Sequence, residues 1–270
     1  TGVGVVSPNG VGLTDFRAAL KAGKSGISWQ EELKRLNFAC QIGGVPPLDE
    51  DAVLKTIPEV DLHKLSEAMV YAALASVECA RMSGVEVDLK KGYADSPVDW
   101  DTGAIIGCGI GGMDTIFNSL APALADAESQ DAGRGMSPMG TDVVPQVMNS
   151  SVSVTVGKFL GLGGQTTSNS SACNTGTEAI FEGFKHIQLG YAESMYVGGA
   201  EGTHHAIWAG FDAMRDVLCS KFNDAPAKGS QPMGAGACGF VPAGGAGVLR
   251  LGRDEHAKKR GAKILCELVA

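Results

Sequence analysis

The cysteine at position 173 is the residue of this sequence with the clearest capacity for chemistry. It stands in the stretch 168–180, after a Thr/Ser run typical of a strand and at the start of a run typical of a helix. A thiol at the N-terminal end of a helix lies near unpaired backbone N–H groups and the positive end of the helix dipole, which favour the thiolate. Cys173 is therefore a candidate nucleophile. The alternative is a small core residue, since cysteine is among the most buried residue types.

The helix after Cys173 has to position this thiol. Three apolar residues recur at helical spacing and three small residues lie beside them, namely Ile180, Phe184, Ile187, Gly176, Ala179 and Gly183. This pattern predicts a helix with one face packed closely against other backbone. Thr175 and Glu178 fit a capping box at its start, and Leu189 with Gly190 predicts its end.

The composition limits the classes of function. A chain of 270 residues with 44% hydrophobic residues suits one large α/β unit. The net charge of −8 argues against nucleic-acid binding. The sequence has no C-x-x-C or His-rich cluster to suggest a metal, and no apolar run long enough to suggest a membrane span. Seven cysteines without paired spacing predict reduced thiols and a cytoplasmic location.

Short runs at 103–107 and 194–197 predict buried strands, and the alternation of strand and helix predicts a mainly parallel sheet. The glycine pattern at 107–112 is interpreted as a packing turn between strand and helix, because no acidic residue follows the next strand as a dinucleotide site requires. Further element predictions include a loop over 121–142, a helix over 143–160, a hairpin over 241–251 and a strand over 263–269.

The motif Ser-Ala-Cys-Asn-Thr-Gly at 171–176 resembles the active-site motif of the β-ketoacyl-acyl carrier protein synthases, which are condensing enzymes of the thiolase fold. Further blocks are similar to the same family in the same order, and they occupy 1–10, 22–27, 107–112, 197–201, 244–249 and 255–262. The resemblance therefore covers nearly the whole chain.

The resemblance implies an α/β, thiolase-like layered fold (α-β-α-β-α), with the first half and the start of the second half in this chain. Residues 1–270 would be the N-terminal portion of a β-ketoacyl synthase-like domain. The two active-site histidines of the family come from its second half and are expected beyond Ala270, as is a second oxyanion-hole amide.

The resemblance also implies roles for single residues. Cys173 would be the catalytic nucleophile, and its own backbone N–H would supply half of an oxyanion hole. Ile110 and Phe211 would line the acyl pocket, although each could instead be an ordinary core residue. Glu201 would be an interior, hydrogen-bonded carboxylate, and the adjacent pair His204 and His205 would not be catalytic.

The implied function is acyl transfer to Cys173 and decarboxylative Claisen condensation with a malonyl-type extender, in fatty acid, polyene or polyketide synthesis. The implied partner is acyl carrier protein carrying acyl and malonyl thioesters, for which a chain with this net charge would need a local basic patch. A homodimer or a heterodimer with a related chain is expected, without a metal or redox cofactor.

The segment 231–240 departs from the family. Members commonly show Arg-Pro-Phe-Asp and then Arg-Asp-Gly-Phe-Val, whereas this chain has Gln231, Pro232 and Met233, and later Cys238 before Gly-Phe-Val. Loss of these charged residues favours an alternative, a non-catalytic chain-length partner in a heterodimeric synthase, while the intact Cys173 argues against it. A third possibility is another thiolase-fold acyltransferase.

Overall fold

The computed structural model describes residues 1–87, 97–128 and 136–269. Its strands are β1 (Gly2–Ser7), β2 (Gly10–Val11), β3 (Ile27–Trp29), β4 (Ile42–Gly44), β5 (Thr102–Gly107), β6 (Thr166–Thr167), β7 (Ser194–Glu201) and β8 (Gly245–Gly252). Six of them form a central sheet in the order β2-β1-β8-β7-β5-β6, and β3 and β4 form a separate antiparallel pair. The predicted buried strands are confirmed, since every residue of β5 is buried.

Helices cover both faces of the central sheet. They are α1 (Leu13–Ala22), α2 (Glu31–Arg35), α3 (Glu50–Leu54), α4 (Glu59–Leu62), α5 (Glu67–Met82), α6 (Met113–Glu128), α7 (Val143–Val147), α8 (Ser151–Leu160), α9 (Thr175–Gln188), α10 (His205–Ala213) and α11 (Asp254–Lys259). Helix α5 packs on β1, β8 and α8, and α9 packs on β7 and β5.

Neighbouring residues of the central strands belong to two hydrophobic cores. Ile106 and Tyr196 belong to the core that also contains residues of α5 and α8. Ile105 and Val197 belong to the core under α9. Successive side chains of a strand point to opposite faces, so β5 and β7 contribute to both cores and separate the two helical layers.

The predicted mainly parallel sheet is wrong for this part of the chain. Strand β5 pairs in parallel with β6 and β7, but β8 is antiparallel to both β7 and β1. The reason is that the excursion over 202–244 begins and ends at the same end of the sheet, where Glu201 lies opposite Gly245. The predicted hairpin over 241–251 is also wrong, because 245–252 is one strand between β1 and β7.

Three further element predictions need correction. The predicted loop over 121–142 is helical up to Glu128, where alanines outweigh Pro122, and its residues 129–135 lie outside the described residues. The predicted helix over 143–160 is two helices, because Met148 between them is extended. The predicted strand over 263–269 is not formed, since this segment has no strand beside it among the described residues.

The prediction of uniformly reduced thiols is also wrong. Cys219 and Cys238 form a disulfide across a separation of 19 residues, which sequence spacing did not reveal because the loop between them folds back. Next to it Leu218 and Phe240 form a β-bridge, and the Cys219 N–H donates to the Phe240 carbonyl at 2.7 Å. The other five cysteines are free. In the described part of the chain, no helix combines the length and the apolar character that crossing a membrane demands.

Candidate active site

Cys173 lies in a single 3₁₀ turn, Ala172–Asn174, that leads directly into α9. Its side chain is exposed, which contradicts the alternative of a buried core thiol. The turn begins at Ala172 with φ of 53°, a left-handed conformation that costs free energy for any residue other than glycine. The Asn174 N–H closes the turn by donating to the Ser171 carbonyl at 3.2 Å. The structure therefore presents the thiol on a sharp turn at the N-terminal end of a helix.

The first turn of α9 lies directly on the backbone of the sheet. A Cβ atom on Gly199 of β7 would be 3.3 Å from the Cα of Gly176, and one on Gly107 of β5 would collide with the Thr175 side chain. Further along the helix, a Cβ on Gly183 would collide with Val197. The predicted close packing of the small-residue face is confirmed.

A polar cluster of Asn169, Ser171 and Glu178 holds the turn Ala172–Asn174 around the candidate nucleophile Cys173 (the nucleophile turn). The Asn169 side-chain amide donates to Glu178 Oε2 at 2.9 Å and to the Thr175 carbonyl at 3.0 Å. Hydrogen bonds from Ser171 and Asn169 lower the pKa of the Glu178 carboxyl below its ordinary value. The predicted capping box is wrong, because Glu178 reaches back to residues 169 and 171 and the Thr175 hydroxyl donates to the Ala172 carbonyl.

The glycine-rich turn 107–112 ends β5 and leads into α6, as the packing-turn interpretation predicts. Glu201 at the end of β7 accepts hydrogen bonds from the backbone N–H groups of Gly109 and Ile110, the second at 3.3 Å. Burial raises the pKa of Glu201 and raises the pKa of the neighbouring Cys108 to about 12. Glu201 therefore holds the turn, and Cys108 stays a neutral thiol at ordinary pH.

Cys173, Ile110 and Phe211 line one cavity of about 930 Å³. Ile110 is 38% exposed and Phe211 39% exposed, so neither is the ordinary core residue of the alternative interpretation. Trp208 and Phe240 add further apolar wall, and Glu201 adds a carboxyl group. The structure thus brings together the three residues that the resemblance assigned to nucleophile and acyl pocket.

His204 caps helix α10, and neither His204 nor His205 lines this cavity. His204 Nδ1 accepts from the Ala206 N–H at 3.2 Å at the start of α10, and its ring lies 4.1 Å from that of His205. Burial lowers the pKa of His205. Among the residues that the structure describes, no group of three or more His, Cys, Asp or Glu side chains could hold a metal ion.

Sequence reasoning missed a second carboxylate near the site. Glu67 of α5 accepts hydrogen bonds from the Tyr71 hydroxyl at 2.9 Å and from both the N–H and the hydroxyl of Thr203. Thr203 follows Glu201 by two residues, so Glu67 fixes the segment that leaves β7. The only signal in the sequence is a Glu and a Tyr one helical turn apart, which is too common to single out.

Comparison with known proteins gives one consistent result. Residues 1–257 match the family described as "Beta-ketoacyl synthase, N-terminal domain". The 3-oxoacyl-[acyl-carrier-protein] synthase 1 of Escherichia coli is 32% identical over 269 residues, which is 100% of this chain and 62% of that protein. The chain therefore spans about three fifths of the length of this relative.

Two solved structures share the fold. The first is a β-ketoacyl synthase from Burkholderia phymatum, with a TM-score of 0.80, 26% identity and coverage of 97% of this chain and 60% of that one. The second is a type II PKS ketosynthase in complex with its acyl-carrier protein and bound to the hexaketide, with a TM-score of 0.77, 26% identity and coverage of 97% and 59%. The layered arrangement of sheet and helices is thus that of ketosynthases.

Proposed function

Because the chain belongs to the β-ketoacyl synthase family, we propose that it is part of a β-ketoacyl-acyl carrier protein synthase in which Cys173 is the acylated nucleophile. The observation that carries this proposal is the exposed Cys173 at the start of α9, in one cavity with Ile110 and Phe211. We also infer that 1–270 is the N-terminal portion of the synthase domain. The match over 1–257 and the three-fifths coverage support this assignment.

In the loading step, the Cys173 thiolate attacks the carbonyl carbon of an acyl thioester on acyl carrier protein. A bond forms between Sγ and this carbon, and the negative charge on the carbonyl oxygen is stabilised by the Cys173 backbone N–H. The bond between the carbon and the carrier sulfur then breaks, and the carrier leaves as its thiol after taking up a proton.

In the condensation step, a malonyl-type extender loses carbon dioxide, and the resulting carbanion attacks the carbonyl carbon of the acyl-Cys173 thioester. A carbon–carbon bond forms, and the Cys173 thiolate leaves. The histidines that the family resemblance implies would stabilise the charge of this step from the second half of the fold. The bonds formed and broken balance without an electron acceptor or a metal.

The experiment is intact-mass spectrometry of the full-length protein after incubation with acyl carrier protein thioesters, for the wild type and for Cys173→Ala. We expect an acyl adduct on the wild type and none on the variant, because no other thiol of the described residues lines the cavity. Cys266→Ala is the matched control, since Cys266 is also exposed but lies outside the cavity. A well-folded wild type without an adduct would contradict the assignment of Cys173.

A second candidate is a non-catalytic, chain-length-determining subunit. The specific observation in its favour is the segment that ends at Phe240, where the disulfide-bonded Cys238 precedes Gly-Phe-Val in place of the family's Asp and Phe240 lines the cavity. Such a subunit would shape a pocket without being acylated, so the same mass measurement distinguishes the two functions.

The partner proposed for either function is acyl carrier protein, because the ketosynthase in the second solved structure binds one. We expect dimerisation, with either an identical or a related chain. The cytoplasmic location stays a prediction, because pairing of Cys219 with Cys238 removes the argument from uniformly reduced thiols.

A further inference from the structure

Asn149 connects the turn that carries Ile110 to the turn that carries Cys173. It lies in the short link between α7 and α8, and its side-chain amide uses every donor it has. The Gly111 N–H donates to Asn149 Oδ1 at 2.7 Å, while Nδ2 donates to the Gly109 carbonyl at 3.3 Å and to the Ser170 hydroxyl at 3.2 Å. The Ser170 hydroxyl donates in turn to the Gly109 carbonyl at 3.1 Å, which closes a ring of hydrogen bonds.

The turn 109–111, which carries Ile110, is held on one side by Asn149 and on the other by Glu201. A Cβ on Gly111 would be 2.6 Å from Asn149 Oδ1, so only glycine allows this approach. On the other side, Glu201 accepts from the Gly109 and Ile110 N–H groups. Ile110 therefore stands between a carboxylate that belongs to the sheet and an amide that belongs to the helical link.

The two anchors differ in what their removal would do. Glu201 is a partly buried carboxylate whose loss would leave two backbone donors unsatisfied, so its effect on folding would mask any effect on specificity. Asn149 is half-buried, and the groups it contacts include the exposed Ser170. Without the Asn149 side chain, water can reach the groups that this side chain contacts and can hydrogen-bond to them. The variant is therefore expected to fold.

We propose that Asn149 is a specificity-determining positioning residue, which fixes Ile110 relative to Cys173 and so sets how well the cavity discriminates among acyl chain lengths. This rests on the proposed function, since it concerns the loading of Cys173. Without the amide, the turn 109–111 shifts away from the nucleophile turn, and Ile110 no longer constrains the entering chain. The acyl groups concerned are unbranched thioester-linked chains of different length.

The test compares Asn149→Ala, Asn149→Asp and the wild type in the full-length protein. The measured quantity is the ratio of the Cys173 loading rates for a long-chain and a short-chain acyl carrier protein thioester. We expect the ratio to change by about fivefold in Asn149→Ala, the effect of about one lost hydrogen bond. Asn149→Asp keeps the acceptor for the Gly111 N–H, so its loading ratio is expected to lie between those of the wild type and Asn149→Ala. Ser150→Ala, next in the chain, is the matched control and should keep the wild-type ratio.

A second readout keeps the two proposals separable. Amide hydrogen exchange at Gly111 should accelerate about fivefold in Asn149→Ala and remain near the wild-type rate in Asn149→Asp. A folded Asn149→Ala with the wild-type loading ratio, or with loading of all lengths reduced equally, would overturn the specificity role. If the wild type itself is not loaded, the proposed function fails, whereas unchanged exchange at Gly111 would refute the positioning role alone.

Discussion

Ala172 carries the backbone strain of the nucleophile turn. Its left-handed conformation turns the chain between Ser171 and Cys173, and a side chain at this position opposes that conformation. Strain held at one residue by its surroundings is a frequent property of functional sites. A substitution that changes the conformation of Ala172 is therefore expected to change the position of the Cys173 thiol.

Substitutions at Ala172 test whether the turn depends on this left-handed conformation. Ala172→Val should lower the free energy of unfolding by about 1–2 kcal/mol and slow acyl loading, because a β-branched residue is strongly disfavoured at positive φ. Ala172→Gly should retain stability and loading. Urea denaturation and the rate of adduct formation measure the two effects. Equal behaviour of the Val and Gly variants would show that the turn does not depend on this conformation.

Glu178 makes the nucleophile turn sensitive to acid. Because hydrogen bonds lower its pKa below the ordinary value of 4.5, its carboxylate contributes stability that is present above that value. This contribution is lost as the pH falls through the lowered pKa. We expect the stability difference between the wild type and Glu178→Gln to shrink from about pH 7 to about pH 3, measured by urea denaturation. Glu182→Gln, one turn further along α9, is the control. A difference that does not vary with pH would contradict this role.

The sequence predicted Cys173 as a candidate nucleophile but not the side chains that hold its turn. Cys173 stands out because an isolated thiol at a strand-to-helix junction lies where backbone N–H groups can stabilise a thiolate. Asn169 and Glu178 do not, because their partnership depends on a 3₁₀ turn after which α9 begins at Thr175, one residue earlier than a capping box with Thr175 as N-cap requires. Asn149 gave no sequence signal at all, since its contacts lie 38 and 21 residues away in the chain.

Helix α5 and strand β7 are joined by Glu67, and this junction belongs to the scale of whole elements. Removal of the carboxylate in Glu67→Ala leaves the Thr203 N–H without its acceptor and leaves the Tyr71 and Thr203 hydroxyls, 3.3 Å apart, with only each other. We expect a loss of about 2–3 kcal/mol in the free energy of unfolding, because unsatisfied buried groups cost about 1–3 kcal/mol. Glu67→Gln, which keeps one acceptor, should lose less, and Glu86→Ala at an exposed position should lose under about 0.5 kcal/mol. Equal stability of Glu67→Ala and Glu86→Ala in urea denaturation would contradict the claim that Glu67 stabilises the contact between α5 and β7.

The disulfide closes the loop 219–238 within the excursion 202–244, next to Leu218 and Phe240, which line the cavity. A dithiol reductant would convert it to two thiols while being oxidised to its own disulfide. We expect the wild type to lose about 3 kcal/mol of stability on reduction, as for other loops of this size, and the double variant Cys219→Ala/Cys238→Ala to be equally weakened without reductant. Denaturant titration of both proteins, with and without reductant, measures this. If the reductant leaves the stability of the wild type unchanged, the disulfide does not contribute the expected stability.

At this scale the sequence predicted which segments form elements better than how they pair. Apolar runs identify β5 and β7 because a strand buried on both faces has few polar positions. The direction of β8 is not encoded in its own residues. It depends on where the excursion over 202–244 returns to the sheet, and that return is set by contacts such as the Leu218–Phe240 bridge.

Across the whole molecule, stability is expected to be unequal. Strands β5 and β7 lie between two cores, whereas 214–240 contains three non-glycine residues with positive φ and little regular structure. Amide hydrogen exchange should therefore be slowest in β5 and β7 and faster in 214–240, and reduction of the disulfide should accelerate only the latter. Uniform exchange across these regions would contradict this division.

The fold class was predictable because the ordered motifs extend over nearly the whole chain, whereas the shape of the cavity was not. Its walls come from the end of β1, the turn after β5, the turn that carries Cys173 and the segment from β7 to β8, which are distant in sequence. Their distances are set by packing, and packing has no local signature.

The direct contact between the first turn of α9 and the glycines of β5 and β7 has a consequence for divergence. No side chain lies between helix and sheet at Gly176 and Gly199, so the height of the thiol above the sheet is a property of peptide geometry. Substitutions of core side chains can tilt the C-terminal end of α9 without moving its N-terminal end. Cys173 therefore keeps its position above the sheet when residues elsewhere in the core are substituted.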